Sequence, residues 1–82
     1  MDKQANIKVN ISNNILMVEG QESDLTARTV VNLDKAELIT YAAYESHTRV
    51  VITLNGEHAN FNVNTPHEAN AIISQWLEIH AR

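Results

Sequence analysis

Asn55-Gly56 narrows the folds open to this chain more than any other pair of residues in it. It stands between TRVVITL and EHANFNV, two runs in which apolar and polar residues alternate. Both central residues of a type I′ turn need φ > 0, which Asn tolerates and Gly adopts freely, so the pair reads as the tip of a β-hairpin. A two-residue loop then sets the partners: Leu54 with Glu57, Thr53 with His58, Ile52 with Ala59, Val51 with Asn60, Val50 with Phe61 and Arg49 with Asn62. Val50, Ile52, Phe61 and Val63 share one face, and Arg49, Val51, His58, Asn60 and Asn62 the other. A slip of one residue would turn the apolar set outward, so burial specifies the register.

The next segment, TPHEANAIISQWLEIH, reads as a helix. Thr65 suits the N-cap, Pro66 the first helical position, and Glu68 completes a capping box. Ala69, Ile72, Ile73, Trp76 and Leu77 recur at helical spacing, with Ile79 at the edge of the stripe. The expected helix, about 66–81, lays this stripe over the Val50, Ile52, Phe61 and Val63 face. Each such side chain contributes on the order of 1.5–3 kcal/mol when fully buried.

Residues 7–19 predict an earlier hairpin around Asn13-Asn14, pairing Ser12 with Ile15, Ile11 with Leu16, Asn10 with Met17, Val9 with Val18 and Lys8 with Glu19. GQESDLTA, residues 20–27, reads as a polar loop, and residues 1–5 as a flexible end. RTVVNL, residues 28–33, reads as a strand covered on both faces. Residues 34–47 admit two readings. One is a strand over about 37–45; the other is a helix over about 35–46, opened by Asp34 and Glu37, which gives βββαββα. The strand reading is preferred because Glu45 would interrupt the apolar stripe of the helix. The expected fold is a single α+β domain: five to six antiparallel strands in a curved sheet or partial barrel, capped by a C-terminal helix. Over roughly residues 30–75 the order VVNLDKAEL, TRVVITLNG, NVNTPHEA is similar to a pattern common in small bacterial and phage domains. That likeness implies the architecture and no activity.

Charge and composition bear on function mainly by exclusion. Six basic against ten acidic residues, scattered without a run, argue against a nucleic-acid surface, which needs clustered Lys and Arg. No stretch approaches the roughly 20 apolar residues of a membrane span. MDKQANIKVN lacks the apolar run of a secretion signal, and there are no cysteines, so a cytoplasmic protein is expected. The four histidines, His47, His58, His67 and His80, lack metal-ligand spacing. Glycine occurs only at Gly20 and Gly56, so neither a nucleophile elbow nor a phosphate loop can be built. No catalytic residues, cofactor or metal are expected.

Apolar residues left over after one face of each hairpin is buried are more telling. They are Ile15, Met17 and Val51, joined by Val30 and by Tyr41 or Tyr44. A small monomer seldom exposes such a set as one patch. With the polar row Arg49, His58, Asn60 and Asn62 they form the candidate interaction surface. The expected function is a non-enzymatic binding or regulatory protein acting by protein–protein contact, with a protein partner and a homodimeric state. A small inhibitor or accessory protein of the type carried by phages and mobile elements would fit. The alternative is a module binding an anionic metabolite or nucleotide in a pocket at a subunit interface or in the mouth of the sheet, met there by Arg28, Arg49 and His58.

Overall fold

The computed structural model describes residues 6–22 and 25–81. Six antiparallel strands form two three-stranded meanders, followed by one helix. The N-terminal sheet has the order β1 (Asn6–Ser12), β2 (Ile15–Glu22), β3 (Leu25–Asn32); the C-terminal sheet has the order β4 (Leu38–Ala43), β5 (Thr48–Leu54), β6 (Glu57–Val63). Helix α1 spans Pro66–His80. The α+β class and the C-terminal helix are as the sequence implies, with the strands divided into two sheets and no closed barrel among the described residues.

Both hairpin registers match the expected partners pair for pair. The turns that set them differ. Asn55 and Gly56 both take positive φ, 55° and 83°, the signs of a type I′ turn. In the first hairpin only Asn13 does, at 56°, the sign pattern of type II′. Asn14 instead accepts the Leu33 N–H through its carbonyl at 2.7 Å, which extends the β2–β3 ladder.

The polar loop expected over 20–27 is mostly strand. β2 runs on to Glu22 and β3 begins at Leu25, and residues 23 and 24 lie outside the described residues. Leu25, Ala27, Thr29 and Val31 fall on one face of β3, and cross-strand pairing overrides the weak strand propensity of this stretch. The expected flexible end, 1–5, also lies outside the described residues.

The segment with two readings resolves as a strand and not as the helix of βββαββα. The Asn32 side-chain oxygen accepts the Asp34 N–H at 3.0 Å and opens a single 3-10 turn, Leu33–Lys35. Extended backbone at Ala36 then ends the turn, and Glu37 N–H donates to Thr53 O at 2.8 Å, starting the pairing of β4 with β5.

One apolar cluster holds the layers together. Leu16, Val18 and Val31 come from the N-terminal sheet and Leu33 from the 3-10 turn; Ile39, Val50, Ile52, Phe61 and Val63 come from the C-terminal sheet, and Ala69, Ile72 and Ile79 from α1. Four hydrogen bonds fix the helix and the residue before it on this floor. Asn64 N–H donates to Glu68 Oε1 at 2.8 Å, while its side-chain amide donates to Ile7 O of β1 at 3.1 Å. Gln75 Nε2 reaches Asn13 O, and half-buried Trp76 donates Nε1–H to Ala36 O at 3.1 Å. The capping box forms only in part: Thr65 makes no side-chain cap, and Glu68 reaches back to Asn64 rather than to the Thr65 amide.

Thr48 carries an unmet cost. It is fully buried beside Val63 and Ala43, and its Oγ1 has no hydrogen-bond partner among the described residues. A buried unsatisfied hydroxyl costs roughly 1–3 kcal/mol. Thr48→Val is therefore expected to stabilise the protein by about 1 kcal/mol. That corresponds to a melting temperature higher by roughly 4–8 °C for a domain of this size. A fall in melting temperature would show that the hydroxyl is satisfied after all.

Candidate interaction surface

On β2, alternation sends Leu16 and Val18 into the core and Ile15, Met17 and Glu19 to the outer face of the N-terminal sheet. Met17 stands opposite Val30 of β3, and Ile15 lies two residues along on the same face. All three are exposed, Ile15 by 40%, Met17 by 36% and Val30 by 57%. One border of this apolar strip is an ion pair, in which Arg28 donates to Glu19 Oε2 at 3.2 Å across the β2–β3 ladder. The other border is polar, with Asn32 opposite Ile15. An exposed ion pair contributes at most about 1 kcal/mol, so its consequence here is positional: Arg28 is held over its own sheet.

The other expected surface residues lie on the second sheet. Val51 is half-buried on the outer face of β5, between Thr40 and Asn60. Arg49 stands between Ala42 and Asn62, and His58 Nδ1 lies 3.1 Å from Thr53 Oγ1. The seven residues thus form two groups: Ile15 and Met17 join Val30, while Arg49, Val51, His58, Asn60 and Asn62 share a separate face. Tyr41 lies on the inner face of β4, where its hydroxyl accepts from Asn70 at 3.4 Å, and Tyr44 stacks on His47 in the β4–β5 turn.

Asn60 and Asn62 have a second neighbour. β6 is an edge strand of its sheet and passes beneath the inner face of the N-terminal sheet, leaving a cleft of about 240 Å³. Asn60, Phe61 and Asn62 line one side, and Ile7, Val18, Leu25, Ala27 and Thr29 the other. Leu25 is missed when 20–27 is read as a loop, although Leu25, Ala27, Thr29 and Val31 already form a period-two series in the sequence. Arg28, Arg49 and His58 do not line the cleft, so the three groups expected to meet an anionic ligand are not gathered there.

Among the described residues, no three His, Asp or Glu side chains converge in the way a metal site would require. Ser46 Oγ and His47 Nδ1 approach to 3.0 Å in the exposed turn before β5, but no carboxylate orients that ring among the described residues. No described helix is long and apolar enough to cross a membrane. Comparison with known proteins returned no matching family model, no matching curated protein and no matching solved structure.

Proposed function

We propose that the chain is a non-enzymatic binding protein that regulates a partner protein by covering part of its working surface. The observation that carries this reading is the exposed strip Ile15, Met17 and Val30 on an otherwise polar sheet face. Contiguous exposed apolar side chains with a polar rim suit contact with another macromolecule better than they suit water. A chain without cysteine suits a reducing compartment, so we place this action in the cytoplasm.

Met17→Glu tests the reading. The side chain is outside the core, so the free energy of unfolding should change by no more than the few tenths of a kcal/mol usual for surface changes. Affinity purification from the native cell should recover a protein with the wild-type chain, and titration of that purified protein should show binding weakened at least tenfold by the variant. Equal binding by both forms would move the site off this face.

The cleft supports a second reading, a small uncharged ligand held by the Asn60 and Asn62 amides between Phe61 on one side and Val18 on the other. A ligand-induced rise in melting temperature, unaffected by Met17→Glu, would favour the cleft.

A further inference from the structure

We infer that this face is completed by a second copy of the chain, joined edge to edge along β3 about a two-fold axis through Val30. The inference rests on the proposed reading of the outer face as a contact surface, and it names the partner that adjoins it.

Two three-stranded sheets have four edges, and three of them are poor candidates. On β1 the outward carbonyl of Ile7 is taken by the Asn64 side chain. β6 lies beneath the N-terminal sheet and lines the cleft. On β4 a two-fold through Tyr41 sets Glu37 against Glu45 of the second copy, and does so twice, in a chain already at net charge −4.

Among the described residues β3 meets none of these obstacles. The closing pair Ser12–Ile15 of the first hairpin directs the backbone groups of Ile15, Met17 and Glu19 towards β1. Those of Leu16, Val18 and Gly20 then engage Val31, Thr29 and Ala27, leaving the N–H and C=O groups of Thr26, Arg28 and Val30 directed outward along the edge. Edge strands are commonly guarded by charge, proline or a bulge. β3 has no proline, and its one charge, Arg28, is drawn back onto Glu19.

Side chains then select the register. A two-fold through Arg28 would oppose two guanidinium groups, and one through Thr29 would oppose Arg28 to Val30. The axis through Val30 sets Val30 against Val30 and Arg28 against Asn32, with the second copy's Asp34 just beyond Asn32 in the 3-10 turn that follows β3. Like polarity then meets across the seam. The paired span, residues 28 to 32, has the length of an ordinary short strand. Met17, Val30, Val30 and Met17 form one continuous apolar row across a six-stranded sheet.

The absence of native cysteine makes this testable residue by residue. Hydrogen-bonded antiparallel partners have Cα atoms about 5.5 Å apart, inside the roughly 4.4–6.8 Å a disulfide spans. Val30→Cys should therefore convert to a covalent dimer under glutathione oxidation. Residue 28 would lie four positions, about 13 Å, from its own copy, so Arg28→Cys should stay uncrosslinked. The unmodified chain should scatter light with about twice its 9.2 kDa mass, and Val30→Lys should return it to monomer with unchanged far-ultraviolet dichroism. A wild-type chain that stays at 9.2 kDa, or Arg28→Cys cross-linking in preference to Val30→Cys, overturns the inference. A monomeric chain that still binds a partner through Met17 would remove the second copy and leave the proposed function standing.

Discussion

Phe61→Ala should lower the free energy of unfolding by about 3 kcal/mol, the low end of the usual range for losing a core aromatic. Phe61 is 9% exposed, and it does two jobs from one position. It belongs to the inner face of the C-terminal sheet, paired with Val50, and it forms part of the cleft floor beneath Ile7 and Val18. Among the described residues the two sheets share no ladder, so side chains of this kind and the Asn64 amide on Ile7 O join them. The low end is expected because the space left by the ring opens onto the cleft, where water can enter and soften the cavity cost. A domain of this size has roughly 4–12 kcal/mol in total, so 3 kcal/mol takes a large share. Urea denaturation followed by Trp76 fluorescence measures it. A loss below about 1 kcal/mol would mean that Phe61 does not join the layers.

The pattern of agreement between sequence and structure has a physical basis. Both hairpins are local: a two-residue turn and strict alternation determine every partner, and Asn55-Gly56 and Asn13-Asn14 supply the turns. The helix start is equally local, resting on Pro66 and Glu68. What alternation does not encode is which sheet a strand joins. It assigns Met17 and Val51 to outward faces correctly, yet the two fall on different sheets, because the Asn32-capped 3-10 turn breaks the chain's path between β3 and β4. Residues 20–27 were legible only through the series Leu25, Ala27, Thr29, Val31, which Gly, Ser and Asp obscure. Val30, at the centre of the exposed strip, is a β-branched residue in an apparently two-sided strand. Its exposure follows from β3 being an edge strand with only one face buried, which composition does not reveal.

Ile72→Ala and Leu77→Ala should part company, although both side chains belong to the apolar stripe read from the sequence. Ile72 is completely buried and should cost about 2–5 kcal/mol. Leu77 is 56% exposed, and its loss should stay within about 0.5 kcal/mol. The cause is helix phase. Five residues at about 100° each turn Leu77 roughly 140° away from Ile72, while Ala69, Trp76 and Ile79 stay close to it. The Trp76 Nε1–H bond to Ala36 O and the Gln75 contact with Asn13 O hold that phase from two sides of the helix. Chemical denaturation of both variants, with unchanged m-values, would separate core from surface within this one element. If Leu77→Ala proved as costly as Ile72→Ala, Leu77 would be covered in solution. The covering surface would then be a partner at the helix rather than along β3, and association measured for the Leu77 variant would have to fall with stability.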